Sequence, residues 1–167
     1  MKTIIEQDAY RYGSGKLPFY QYCFRKCQLS RGIARKFFRL LYKLAARSRG
    51  LEISVLCDIG PGLYVGHAFA ITINPEVVIG KNCNLAKGVT IGQENRGRRK
   101  GTPTIGNEVW IGTNAVVVGK ITIGNDVLIA PNSFVNCDVP DHSIVFGNPC
   151  VIKPCEHATE GYIDFLV

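Results

Sequence analysis

Several things are scarce in this chain of 167 residues, and each scarcity removes a class of protein. No apolar run reaches the length needed to cross a bilayer, so a spanning helix is not expected. Met1 to Tyr10 is polar and mixed in charge, where a secretory leader would carry an apolar stretch. The seven cysteines follow no framework spacing, which argues for free thiols in a reducing cytoplasm. Cys150 and Cys155 have no second Cys/His pair beside them, so no metal site is expected. Tryptophan occurs once, at Trp110, and histidine only at His67, His142 and His157. Of these histidines His67 alone lies in the regular part of the sequence.

An apolar fraction of 46% is ample for the core of one domain. The net charge of +7 favours an anionic partner: nucleic acid, a membrane surface or a phosphorylated cofactor.

The decisive pattern is a repeat of six. "IGKNCN" from Ile79 is followed by "LAKGVT" from Leu85, "IGNEVW" from Ile105, "IGTNAV" from Ile111, "VVGKIT" from Val117, "IGNDVL" from Ile123 and "IAPNSF" from Ile129. A helix needs apolar positions near every 3.6 residues and a plain strand every second one, whereas six fits a short strand plus a turn. Three such units close a triangular coil, and stacked coils bury the aliphatic residue of each. A sandwich of short strands would alternate with period two and vary in length, so the fixed six argues against it. An earlier block, Ile53, Ile59 and Val65, keeps the period but is displaced by two residues from the Ile73, Ile79, Leu85, Ile91 series.

The expected fold is therefore mainly β: a parallel β-helix of hexapeptide repeats with a short helical N-terminal segment and a protruding loop. The helical segment covers residues 1–50, the β-helix residues 51–139 and a C-terminal cap and tail residues 140–167. The period breaks at residues 92–104, a basic loop of the kind that carries function on a solenoid. Upstream, Ser30 reads as a helix N-cap and Gly50 as a stop. Ile33, Phe37, Leu40, Leu41 and Leu44 form the apolar stripe, with Arg31, Arg35, Lys36, Arg39, Lys43 and Arg47 on the wet side. That helix either lids the open first coil or lies on an anionic membrane.

The hexapeptide units, "GHAFAITINP" from Gly66, "GTPTIG" from Gly101 and "VPDHSIVFGNP" from Val139 resemble the serine acetyltransferase branch of the left-handed β-helix acyltransferases. The likeness runs from Leu51 to Lys153. It implies a left-handed coil, a homotrimer and acetyl-CoA held in grooves between subunits. His67 falls on the family's catalytic histidine, a general base that takes the proton of the acceptor hydroxyl during direct transfer. An imidazole suits that work because its ordinary pKa lies near working pH. The resemblance places the orienting acid at Glu52, with Asp58 the runner-up. It sets Gly112, Thr113, Ala130 and Pro131 along the pantetheine arm, and Lys120 and Lys153 near the phosphates. Part of the positive charge is then phosphate-directed, and no nucleic-acid partner is expected.

Two departures bear on the acceptor. Gly66 stands where the serine-specific enzymes have an aspartate, and Lys100 to Pro103 replaces their Asp-Arg-His-Pro. Arg96, Arg98, Arg99 and Lys100 are the remaining candidates for substrate contacts. The "YRYG" start and the Asn95 to Gly106 loop look closer to the O-acetyltransferases of exopolysaccharide and capsule synthesis. The expected activity is acetyl-CoA-dependent O-acetylation of a sugar hydroxyl of a polysaccharide or its precursor. A cytoplasmic enzyme with peripheral membrane contact through the basic helix would suit that acceptor. Serine O-acetylation for cysteine biosynthesis, and a non-catalytic β-solenoid binding module, stand as the alternatives. A zinc hydratase of this fold needs three histidines at one site, which the coils do not supply.

Overall fold

In the computed structural model, which describes residues 2–167, the hexapeptide units form a three-faced prism. Face one stacks β1 (Glu52–Ile53), β4 (Thr72–Ile73), β7 (Thr90–Gly92), β10 (Val116–Val118) and β13 (Phe134–Val135). Face two stacks β2 (Asp58–Ile59), β5 (Val78–Ile79), β8 (Thr104–Ile105) and β11 (Thr122–Ile123). Face three stacks β3 (Tyr64–Val65), β6 (Asn84–Leu85), β9 (Val109–Ile111), β12 (Val127–Ile129) and β14 (Ser143–Phe146). All these pairings are parallel, and only β15 (Val151–Pro154) runs antiparallel, against β14. The coil thus continues past residue 139, since β14 adds a rung to face three.

The period of six follows from burial. Ile53, Ile73, Ile91, Val117 and Val135 form one buried column, and Val65, Leu85, Ile111, Ile129 and Val145 another. Each such side chain contributes about 1.5–3 kcal/mol when fully buried. At the turn after face two the rungs come so close that only glycine fits. A Cβ on Gly80 would lie 2.5 Å from the Gly106 carbonyl oxygen, and one on Gly106 would lie 2.6 Å from that of Gly124.

The N-terminal segment is three helices, α1 (Ile4–Tyr10), α2 (Phe19–Leu29) and α3 (Gly32–Arg47). They lid the first coil with apolar side chains, among them Phe24, Tyr42 and Ala46, and with polar ones. An open coil end leaves backbone groups without partners, and buried groups of that kind must be paired. Asp8, wholly buried, accepts from the Gly62 and Leu63 amides and forms an ion pair with Arg25 at 2.7 Å. Arg25 donates to the carbonyls of Ile59 and Gly60, Gln21 to Leu63, Gln28 to Cys57 and Tyr42 to Ile53. Arg11 reaches Gly62 and Asn84, and burial pulls its guanidinium pKa down.

One local expectation is corrected here, and one left open by the sequence is decided. Ser30 ends α2 rather than starting α3, whose N-cap position is Arg31 with no side-chain cap. The stripe of Ile33, Phe37, Leu40 and Leu44 faces outward, while Tyr42 and Ala46 are buried and Phe38, Leu41 and Ala45 pack against the core. The bulky aliphatic residues yield the inner side to Ala45, Ala46 and a tyrosine able to donate to a coil carbonyl.

At the far end the tail turns back along the corner between faces two and three. Asp126 accepts from the amides of Ala158 and Thr159 and from the Thr159 hydroxyl. Tyr162 meets the Trp110 ring edge-on at 5.0 Å, and Val167 exchanges two hydrogen bonds with Asn82. Phe165 then reaches Tyr10, so both ends of the chain meet over the first coil.

Candidate active site

His67 sits at the corner between faces three and one, in the turn that joins β3 to β4, and its side chain is exposed. That corner is larger than those stacked on it. Ala70, Gly88, Asn114 and Asn132 each take a positive φ at the same point of successive turns. Two residues lead from the strand to that point on the later rungs: Ala86 and Lys87, Gly112 and Thr113, Ala130 and Pro131. On the first rung four do, Gly66 to Phe69. The displacement of the early aliphatic series is this expansion, and it pushes the imidazole out of the wall.

Glu52 begins face one, pairs in register with Thr72 on the rung that His67 leads into, and points outward. The two therefore lie on adjacent rungs near one corner. Neither takes part in the two ion pairs found among the described residues, Asp8 with Arg25 and Asp126 with His142. Asp58 starts β2 on face two, a face away from that corner.

Of the residues expected at the cofactor, Gly112, Thr113, Ala130 and Pro131 share the corner of His67, two and three rungs along, about 10 and 14 Å at ordinary strand spacing. A Cβ on Gly112 would lie 2.6 Å from the Pro131 nitrogen and 2.8 Å from the Trp110 ring. The column is flush because nothing larger fits there, and a flush wall suits a thin flexible chain such as a pantetheine arm.

The lysines do not share a site. Lys153 is exposed on β15, at the edge of face three. Lys120 lies at the corner between faces one and two, its amide donating to the Arg99 carbonyl. There the loop folds on itself through paired backbone bonds between Glu94 and Gly101, with a helical turn at Gly97–Arg99. Arg96, Arg98, Arg99 and Lys120 line an open groove of about 600 Å³ with Glu94 and Asp138. Lys100 is exposed and stands outside this groove. In one protomer the groove and His67 occupy different corners. A larger cleft, about 820 Å³ under α3, includes Glu52 but not His67.

Residues 102–137 match the family described as "Bacterial transferase hexapeptide (six repeats)". The serine acetyltransferase of Helicobacter pylori strain 26695 is 36% identical over 117 residues, which cover 68% of each chain. The chain belongs to the serine acetyltransferase family. Among solved structures, serine acetyltransferase isoform 3 from Entamoeba histolytica, in complex with cysteine, superposes with a TM-score of 0.71 at 25% identity, over 86% of this chain and 57% of that one. The Neisseria gonorrhoeae enzyme gives a TM-score of 0.67 at 28% identity, over 83% and 53%. The chain thus spans little more than half the length of these structural neighbours.

The expected left-handed β-helix and the expected acetyl-CoA-dependent acyltransferase class are borne out by this membership. The sugar acceptor is not. The similar curated relatives are serine acetyltransferases, which overturns the polysaccharide reading in favour of its alternative. The error came from treating missing family residues as a missing function. The folded loop still sets cations and carboxylates side by side, an arrangement suited to a small zwitterion rather than to neutral hydroxyls.

Proposed function

We propose that the chain is a serine O-acetyltransferase in which His67 is the general base. The observation that carries this reading is the expanded corner, which frees one imidazole beside the flush Gly112 column in a chain of this family. His67 takes the proton of the serine hydroxyl as that oxygen attacks the thioester carbonyl of acetyl-CoA. The proton then passes to the departing thiolate, leaving O-acetylserine and free coenzyme A. Glu52 orients the ring and offsets the charge of the imidazolium from the adjacent rung. Gly112, Thr113, Ala130 and Pro131 border the pantetheine arm. Arg96, Arg98 and Arg99 grip the serine carboxylate and Glu94 or Asp138 its ammonium group.

Because the groove and His67 lie at different corners, a complete site takes each from a different protomer, and a homotrimer supplies three such junctions. Cytoplasmic residence belongs to the same proposal, since the seven cysteines are all free and burial raises the Cys83 thiol to about 12. So does contact with the inner membrane face, supported by the outward side of α3. Release of free thiol from acetyl-CoA should depend on added L-serine, and thiol release that ignores serine overturns the acceptor. Sedimentation equilibrium should return three times the mass of the chain, and a monomer that still turns over would remove the split site.

A further inference from the structure

The helix α3 is apolar on two sides, and only one of them is used. Its inner side, Tyr42 and Ala46 with Phe38, Leu41 and Ala45, seals the first coil. Ile33, Phe37, Leu40 and Leu44 recur at i, i+4, i+7 and i+11, a single stripe, and they are 86, 57, 57 and 62% exposed. Leu29, at the end of α2, is also 60% exposed. Isolated exposed apolar residues are ordinary on a protein surface, but a continuous stripe of four large ones marks an interaction site.

The charges beside the stripe say what covers it. Lys36, Arg39, Lys43 and Arg47 follow one flank of the helix, all exposed. From Ala9 to Leu51 the chain has no aspartate or glutamate at all. A second copy docked through this helix would bring that unanswered positive charge close to its own image. A surface that is apolar within and negative at its boundary is complementary on both counts, and an anionic lipid leaflet is such a surface.

We propose that α3 docks the protein on anionic phospholipid, with Ile33, Phe37, Leu40 and Leu44 entering the headgroup boundary and the cationic flank meeting lipid phosphates. This specifies the surface and the lipid chemistry of the membrane contact proposed above. It holds whichever hydroxyl is acetylated. No helix among the described residues is long and apolar enough to cross a membrane, so the contact is peripheral. The inner side of the helix stays on the coil throughout, and docking requires no unfolding of the lid.

Sedimentation of the full chain with two vesicle preparations tests the idea. One is pure phosphatidylcholine, and in the other a third of the lipid is phosphatidylglycerol. Binding should be at least tenfold stronger to the second and should weaken with added salt. Phe37→Ser/Leu40→Ser and Lys36→Glu/Lys43→Glu should each reduce it about tenfold or more, with an unchanged thermal midpoint because all four positions are exposed. Equal binding to both vesicles, or full binding by Phe37→Ser/Leu40→Ser, overturns the proposal. So does a concentration-dependent dimer that this variant abolishes while vesicle binding is absent. Serine-dependent thiol release, followed in solution without lipid, reads the catalytic proposal separately and should be the same in these variants.

Discussion

Two corners of one prism have been given opposite treatments. The corner between faces two and three is closed. Its glycines stack backbone on backbone, and Asn107 accepts from the Lys81 amide while Asn125 accepts from that of Asn107. Asp8 clasps its first turn, and the C-terminal tail runs up its length to Asn82. The corner between faces three and one is open: two residues longer at the first rung, with His67 exposed and no tail across it. The closed corner satisfies its polar atoms internally and so holds the coils in register. The open one leaves reactive atoms facing out, where a substrate can meet them. The rungs depart from their period at two places, this corner and the loop of residues 92–104, and the proposed site draws on both.

The comparison breaks if the histidine corner proves structural. His67→Ala should lower serine-dependent turnover by about two to four orders of magnitude, with no change in thermal midpoint or in coenzyme A affinity. A variant that keeps its turnover removes His67 from the chemistry, and one that unfolds places it in the architecture. Glu52→Gln should be milder, lowering turnover while sparing stability.

At the closed corner the expected loss is of stability. Asp8→Ala leaves the Arg25 guanidinium buried and unpaired and strips the Gly62 and Leu63 amides of their acceptor. Breaking a buried pair in this way costs about 3–5 kcal/mol, read from the denaturant midpoint. Asp126→Ala should cost less, about 1–3 kcal/mol, because its carboxylate is near the surface and the tail amides regain water when they detach. A midpoint unmoved by Asp8→Ala would mean that the helical lid is an accessory and not part of the same folding unit.

The coil was legible before any coordinates because its core is periodic: one aliphatic residue per six, Ile73, Ile79, Leu85, Ile91, maps onto one side chain per wall. The open corner was legible too, as a two-residue displacement of Ile53, Ile59 and Val65, although its meaning lay in what the extra residues carry. Other features are invisible to periodicity. Asp8, Gln21 and Arg25 belong to no motif, and only folding sets Asp8 against the amides and Gln21 and Arg25 against the carbonyls of the first coil. The spacing of the helical stripe left open whether it meets the coil or the outside, and the fold turns Ile33, Phe37, Leu40 and Leu44 outward and Leu41 inward. Hydrophobic spacing identifies a face but does not say what will cover it, and α3 has two. Arg96, Arg98 and Arg99 stand together in the sequence, but that they share a groove with Lys120, Glu94 and Asp138 follows only from the folding of the loop.

The subtlest test concerns how firmly the tail holds the closed corner. His142 Nδ1 lies 2.8 Å from Asp126 Oδ2, and that hydrogen bond raises the imidazole pKa above its ordinary 6.5. Burial works against ionisation of Asp126, but bonds from His142, Thr159 and Ala158 outweigh it and hold the carboxyl below 3.8. The two signs differ. A raised histidine stabilises the folded form fully below 6.5, and the contribution fades as pH rises through the folded value. A depressed carboxylate stabilises above 3.8, and its contribution fades as pH falls through its folded value. This corner, with the tail amides held on Asp126, should therefore be most stable between about 3.8 and 6.5 and weaken modestly on the alkaline side. Limited proteolysis of the tail across that range checks it. His142→Ala should flatten the alkaline limb and leave the acid limb in place, whereas tail cleavage that ignores pH in the parent protein would show that the Thr159 bonds alone hold it.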